Sequence, residues 1–553
     1  IFALVALLLI FGAIGFCTFN VYKGIKDFPD YAREEVVQKK YKDLLNSIDE
    51  CVTNSDTALS FAAKLEKIEM PEELIYLALQ KTEKEDFSGD QENIIEITKK
   101  FEGGRTSWVI INGYGYGKIN NKEIIMKNRT KFPPVFWVAN GIEILERFAY
   151  YGIYMGFGIY LLEELHLTKG DLGIIQSIFL ALSYLTPLFS GTFADKYGFK
   201  KILIISYLIY LPAILLLIVT ETFSGVAITM LTIGFGAGIF KPLISGTIRV
   251  VSDKTNKTIG FGIFYAMVNV GASFGPIIMG KLRAISWDYV FYTAAAAVAL
   301  MFIITLLFYK EPPREIEGVT LKQKFKDMGE VLSDYKYLTF IILLGVFFWL
   351  PFWAFFNVLA VYINDYMNTA ALYEGVKSIL GSGITNIISS NDGGVWKINA
   401  EAISHTGYII IVFQLLISHT FEKRPAIPSF LFGIFIAAAG FVVLGLAVTT
   451  SNNLVFFGIF LFAIGEMISS PRIQEYITWI APKEKAGLYM GTNFLATFIG
   501  ATLSGIYTGV MGGFEEAGTP EYIMYTLAVH SIIGIIAIYI FTKTAGEFKE
   551  LDE

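Results

Sequence analysis

Beyond residue 131 the chain is a succession of uncharged stretches, each long enough to cross a bilayer, separated by short polar breaks. A helix crossing about 30 Å of hydrocarbon needs roughly 20 apolar residues. Such runs separate Asp171 from Asp195, Lys201 from Glu221, Glu221 from Lys241, Lys257 from Lys281, Asp288 from Lys310 and Lys336 from Asp365. They resume between Glu401 and Glu422, Lys485 and Glu515, and Glu521 and Lys543. The stretch from Arg424 to Glu466 holds two spans around a polar turn at 449–453. One further span, at about 134–162, is interrupted by charges. That makes twelve, and residues 1–23 predict a thirteenth.

The charges the spans lack are gathered elsewhere. Residues 24–131 carry 17 Lys/Arg and 20 Asp/Glu, 37 of the 94 charges in the chain. Overall only 17% of residues are charged and 54% are hydrophobic, against roughly 25% charged in soluble domains. An ordinary soluble protein is excluded. Cys17 and Cys51 cannot make a disulfide framework and offer no metal-ligand spacing. The chain begins at Ile1 rather than Met, which leaves room for residues before it.

Basic residues orient the spans. Lys196, Lys200 and Lys201, then Arg249, Lys254 and Lys257, then Lys310 to Lys336, Lys423 with Arg424, and Lys483 with Lys485 fall in alternate loops. The loops between them are acidic or neutral, apart from Lys281 and Arg283. The positive-inside rule makes the first set cytoplasmic, together with the C-terminal tail. The basic connection at 310–337 divides twelve spans into six and six, a layout that resembles the major facilitator fold. The expected fold class is therefore an all-α membrane protein of 6+6 transmembrane helices plus one additional N-terminal helix. Its parts are that helix (1–23), an extramembrane module placed in the cytoplasm (24–131), a first six-helix bundle (132–309), a cytoplasmic linker (310–337), a second bundle (338–543) and a cytoplasmic tail (544–553). Within the module, Val37, Tyr41, Leu44, Ile48 and Val52 recur at helical spacing, Pro71 marks a helix start, and residues 108–113 suggest a short hairpin.

Charges inside spans are costly, on the order of 3 kcal/mol each at the membrane centre, and so mark functional positions. The first span of the 6+6 body contains Glu143, Glu146 and Arg147. Glu143 and Arg147 are four residues apart on one helix face, and Glu146 and Tyr150 share the next. A structural ion pair between helices is the plain alternative. The fourth span contains Gly234, Gly236 and Gly238, which permit close helix approach, then Lys241 and Pro242. Lys241 lies two turns inside Arg249, about the limit from which a lysine snorkels to the interface. The tenth span carries Glu466 after an uncharged run of 41 residues. Arg472 and Glu475 read as an interfacial pair near its cytoplasmic edge. By the six-plus-six correspondence Lys241 and Glu466 face one cavity from opposite halves, an arrangement suited to a zwitterion. The four histidines, at 166, 405, 419 and 530, are expected in loops or at interfaces towards span ends rather than in a proton relay.

Several of these segments together resemble the proton-dependent oligopeptide transporter family. Residues 143–152, Glu-Ile-Leu-Glu-Arg-Phe-Ala-Tyr-Tyr-Gly, match that family's first-helix pattern ExxERFxYYG throughout. Ser183-Tyr184 through Pro187, Lys241-Pro242, the stretch from Phe261 to Gly271 that includes Tyr265 and Asn269, and Gly465-Glu466 through Gly491 are similar to its second, fourth, fifth, tenth and eleventh helices. The resemblance covers about residues 132–543. It implies proton-driven symport of di- and tripeptides by alternating access. Glu143, Glu146, Arg147 and Lys241 would couple the proton, and Arg147, Tyr150, Tyr184, Lys241, Asn269, Asn357 and Glu466 would bind substrate. Asn357 stands where the family usually has an acidic residue, Asn493 where it has an aromatic one, and Arg472 where it has an apolar one. The loop from Asp195 to Lys201 is nearer the general facilitator form.

The leading expectation is thus a proton-coupled importer of short peptides or similar zwitterions in the cell (inner) membrane. Protons are the coupling ion, and no other cofactor, metal or nucleic-acid partner is expected. One alternative is a facilitator for a different organic anion or drug-like solute. Another is a membrane scaffold or sensor that binds a protein partner through residues 24–131. No nucleophile–base, metal or nucleotide motif points to an enzyme.

Overall fold

The computed structural model describes residues 132–252, 256–312, 321–421, 424–481 and 486–545. The expected N-terminal helix (1–23) and the module at 24–131 lie outside the described residues. Among the described residues, ten helices are long and apolar enough to cross a membrane. We label the spans in chain order. The first half comprises α1 (Pro134–Glu163), α2 (Lys169–Ala194), α3 (Phe199–Val219), α4 (Phe223–Val250), α5 (Ile259–Arg283) and α6 (Trp287–Leu307). The second comprises α7 (Tyr335–Tyr366), α8 (Gly407–Phe421), α9 (Ala426–Thr449), α10 (Leu454–Ile477), α11 (Ala486–Glu516) and α12 (Tyr522–Ala545). α1 and α8 complete the twelve. α1 is less apolar because of its charges, and α8 is only 15 residues long.

Local chemistry sets the ends of these helices. Thr168 and Asp171 close a reciprocal capping box at the start of α2, Ser286 caps α6 and Asp334 caps α7, each satisfying amides that a helix start leaves unpaired. Between α2 and α3 the chain turns at Gly198, whose φ of 102° is open to glycine and strained for other residues. The Glu311 carboxylate then accepts from the Phe199 and Lys200 amides at 2.8 Å each, which caps α3 from the start of the interbundle linker. An amphipathic helix, Leu321–Leu332, continues that linker.

Apolar burial cannot drive helix association in lipid, so packing relies on small residues and polar contacts. Where α2 meets α11, Gly173 and Gly505 face each other, and a Cβ on either would collide with the other's carbonyl oxygen. Gly505→Val is therefore expected to prevent this seam from closing. Spin labels at the ends of α2 and α11 should separate by several ångströms in pulsed-EPR distance measurements, whereas Gly491→Val, with open space around it, should leave the distance unchanged.

Ion pairs cross between the halves at the end of the molecule that the positive-inside rule assigns to the outside. Lys169 of α2 pairs with Asp365 of α7 at 2.9 Å and with Glu515 of α11 at 2.6 Å. The Arg283 Nε donates to Glu401 at 2.8 Å, and its Nη1 reaches Glu163 of α1 at 3.4 Å. Asn364 donates to the same Glu163 at 2.8 Å. Lys281 and Arg283, the two exceptions to the basic-loop pattern, are both consumed by the connection between α7 and α8.

The sequence reading assigns nothing to that connection. It consists of a helix, Thr369–Thr385, an antiparallel hairpin of β1 (Ser389–Asp392) and β2 (Val395–Ile398), and one helical turn, Ala400–Ile403. Its first residues lean on the second half, where the Asn368 amide donates to Asn452 at 3.0 Å. Further along it reaches the first half, where Lys281 donates to the carbonyls of Asn386 and Ser389. It therefore bridges the two halves.

Candidate substrate and ion site

α1 and α4 bring the predicted charges together. Glu143, Glu146 and Arg147 are all buried in the middle of α1, with Glu146 fully excluded from solvent. The Arg147 Nε lies 3.2 Å from Glu143 Oε1, and its Nη2 contacts Glu146. Close packing makes the position possible: a Cβ at Gly271 of α5 would lie 2.7 Å from the Arg147 Cβ. The Arg147 guanidinium sits 5.3 Å from the ring centre of Tyr150 and 6.0 Å from that of Tyr151.

Lys241 enters from α4. The glycines before it let α4 press against α2 and α3: a Cβ on Gly234 would meet the Phe179 carbonyl at 2.7 Å, and one on Gly236 would meet Tyr210 at 2.9 Å. The lysine thus reaches the interior rather than the interface. Its ammonium lies 3.8 Å from the centre of the Tyr184 ring and 5.2 Å from that of Tyr150. The side chain is half-buried, but its Nζ is shut off from solvent and has no hydrogen-bond acceptor, although Arg147, Glu146 and Glu143 are close enough for their charges to act on it. Two cations and two carboxylates therefore form one buried cluster with no formal net charge. The ring faces of Tyr150 and Tyr184 partly replace the water that Lys241 has lost.

Glu466 stands apart in the second half. Its Oε2 accepts from the Thr406 hydroxyl at 2.9 Å, at the threshold of α8. Tyr151 of α1 lies within electrostatic range of it. Tyr150 thus lies against both Arg147 and Lys241, while Tyr151 lies between Arg147 and Glu466. Asn269 of α5 is buried and donates to the Tyr265 carbonyl at 2.9 Å.

Asn357 occupies a different setting. Its amide donates to Ser504 of α11 at 2.8 Å, and its side-chain oxygen accepts from Tyr154 of α1. Its backbone carbonyl accepts from Gln176 of α2 at 2.9 Å, and Gln176 in turn accepts from Thr508 of α11 at 2.6 Å. Five polar groups on four spans make a buried network across both halves. The structure places Asn357 at the seam rather than among the charges. Arg472 pairs with Glu475 at 2.5 Å and also donates to the Arg424 carbonyl, in keeping with an interfacial pair.

The histidines divide. His166 lies in the α1–α2 loop with a positive φ of 51°. His419 is in the last turn of α8. His405 does precede a span, but it is buried, edge-on to the Tyr151 ring at 4.9 Å and tilted against Phe356 at 5.9 Å. His530 lies within α12 rather than at its end, bonded to Tyr507 and to the Val346 carbonyl. Sequence reasoning passes over Tyr154, Gln176 and Thr406. Neutral polar and aromatic residues in apolar runs give little signal, and only the lone amide of Gln176 stands out between Asp171 and Asp195.

Comparison with known proteins places this arrangement. A profile of the Major Facilitator Superfamily matches residues 141–397. The quinolone resistance protein NorA of Staphylococcus aureus is 27% identical over 240 residues, 42% of this chain and 61% of NorA. The chain therefore matches about three fifths of that relative's length. Dipeptide and tripeptide permease A of Edwardsiella piscicida is 23% identical over 462 residues, 74% of this chain and 92% of the permease. Among solved structures, the peptide transporter POT in complex with sulfate superposes with a TM-score of 0.60 at 17% identity, over 77% of this chain and 99% of that one. At that identity the structural likeness establishes the fold.

Proposed function

We propose that the chain is a transporter of the major facilitator superfamily, whose profile matches residues 141–397, and that it is a proton-coupled importer of di- and tripeptides or similar small zwitterions. The observation that carries this reading is the buried, formally neutral cluster in which Lys241 lacks a hydrogen-bond acceptor. A carboxylate on the substrate would supply the missing acceptor, and the substrate's amine would be met by Glu466 across the site. Similarity to the dipeptide and tripeptide permease supports the substrate class.

Coupling follows from charge balance. Adding a proton to Glu143 or Glu146 leaves the cluster with one excess positive charge, and burial makes that excess costly. A substrate carboxylate neutralises it. Proton and substrate therefore favour one another's binding, and the doubly loaded site is again balanced. The halves can then exchange their outer contacts, Lys169 with Asp365 and Glu515 among them, for contacts at the opposite face. The membrane in which this takes place is proposed to be the cell (inner) membrane.

The similarity to NorA favours a second reading, transport of drug-like solutes through the same cluster. A thermal-shift screen separates the two. Purified protein should be stabilised by dipeptides such as Ala-Ala, with the shift lost in Lys241→Gln and unaffected by quinolones. Stabilisation by quinolones alone would contradict peptide specificity and support the second reading.

A further inference from the structure

The bridge between α7 and α8 carries an apolar surface that the transport reading does not use. In the helix Thr369–Thr385 the first turns are amphipathic in the ordinary way. Leu372, Tyr373 and Val376 are buried, and the Tyr373 ring stacks on Trp396 of β2 at 5.6 Å and 13°. At Gly381, with φ of 74°, the helix kinks, and the pattern reverses. Ile379 is 82% exposed, and Leu380, Ile384 and Ile387 are each half exposed or more. No charge occurs between Lys377 and Asp392. An extramembrane connector that turned this face to water would be an aggregation hazard.

The surroundings indicate what covers it. Lys281, near the end of α5, holds the segment down by donating to the Asn386 and Ser389 carbonyls. Four residues after Lys281, Ile285 is 61% exposed, and the first turns of α6 present Tyr289 and Tyr292 outward. Exposed tyrosines at the start of a span mark the headgroup level of a bilayer. The apolar turn therefore continues the lipid-facing surface of the α5–α6 corner instead of standing clear of it.

We propose that residues 379–387 form an interfacial anchor, lying in the headgroup and upper acyl layer of the outer leaflet, so that the lipid surface is the partner of this bridge. Aliphatic side chains on a short helical turn, flanked by Lys377 on one side and the polar hairpin on the other, fit a segment lying in the membrane plane. Because the same bridge ends at Glu401, paired with Arg283, the anchor fixes one end of an outer contact to the bilayer rather than to protein.

Electron paramagnetic resonance tests this without reference to any substrate. The full chain, with Cys17 and Cys51 replaced by serine, carries one nitroxide label at Ile379→Cys or Ile384→Cys in phosphatidylcholine vesicles. Collisions with oxygen are compared with collisions with a water-soluble nickel chelate. The oxygen-to-nickel ratio should approach that of a label at Leu208→Cys, an exposed position on α3, and exceed several-fold that of Asp392→Cys on the hairpin. Ile384→Glu should lower the ratio read at position 379. A ratio matching that at Asp392, or one unmoved by Ile384→Glu, would overturn the proposal. So would spin–spin broadening between labels on two chains, because a second copy would then be the cover.

Discussion

Glu143→Gln is expected to abolish accumulation of substrate against its own gradient while sparing exchange of substrate across the membrane. With one proton moved per substrate, a pH difference of one unit is worth about 1.4 kcal/mol, enough for about tenfold accumulation. A variant that cannot take the proton keeps its substrate contacts but loses that driving force. Its internal concentration should level off at the external one. The side chain of glutamine matches the shape and hydrogen-bonding capacity of a protonated carboxyl, so the packing around Arg147 should survive. Counterflow in proteoliposomes measures exchange, and uptake under an imposed pH gradient measures accumulation. Loss of both together would mean that Glu143 serves substrate binding or folding instead.

Arg147→Met is expected to have the largest effect on stability. Arg147 is the only cation within ion-pair distance of Glu143 and Glu146 among the described residues, since Lys241 is held against the faces of Tyr184 and Tyr150. Removing one partner of a buried pair leaves an uncompensated charge and costs about 3–5 kcal/mol. Pairing the substitution with Glu146→Gln restores the formal balance and should recover about 1–3 kcal/mol of that, the usual coupling between groups in contact. Thermal unfolding of the two single variants and the double variant in detergent reads this cycle. Additive losses would show that Arg147 and Glu146 do not act as a unit.

How much of this was legible in the sequence depended on the kind of residue. Spans announce themselves because hydrocarbon excludes charge, and the same exclusion made Glu143, Glu146, Arg147, Lys241 and Glu466 conspicuous. α1 and α8 were harder. One is broken by its own functional charges, and the other is a 15-residue helix whose start is taken over by the bridge. The seam network was not legible at all. Tyr154 and Asn357 are 203 positions apart, Gln176 and Thr508 are 332 apart, and each is an unremarkable polar residue in an apolar run. Asn357 reads from sequence as a pocket that has lost a charge. The fold shows that its donors and acceptors are engaged by three other spans, which gives a neutral amide a structural reason to be there. The bridge was missed because its order comes from distant partners: Glu401 is buried by Arg283, 118 residues earlier.

The histidine expectation fails at His530, which lies within α12, and is incomplete at His405. His405 does sit in the stretch before α8, as a loop position predicts, but it is buried there, beside Thr406 and its contact with Glu466. Position along the chain does not report depth where a connection folds back over the site.

The most direct test of proton-coupled import is uptake of radiolabelled dipeptide into proteoliposomes containing the full chain, with an inward proton gradient imposed and then collapsed by a protonophore. Coupled import predicts accumulation above the external concentration that disappears with the gradient. Uptake of equal rate and extent with the gradient present or collapsed would contradict it.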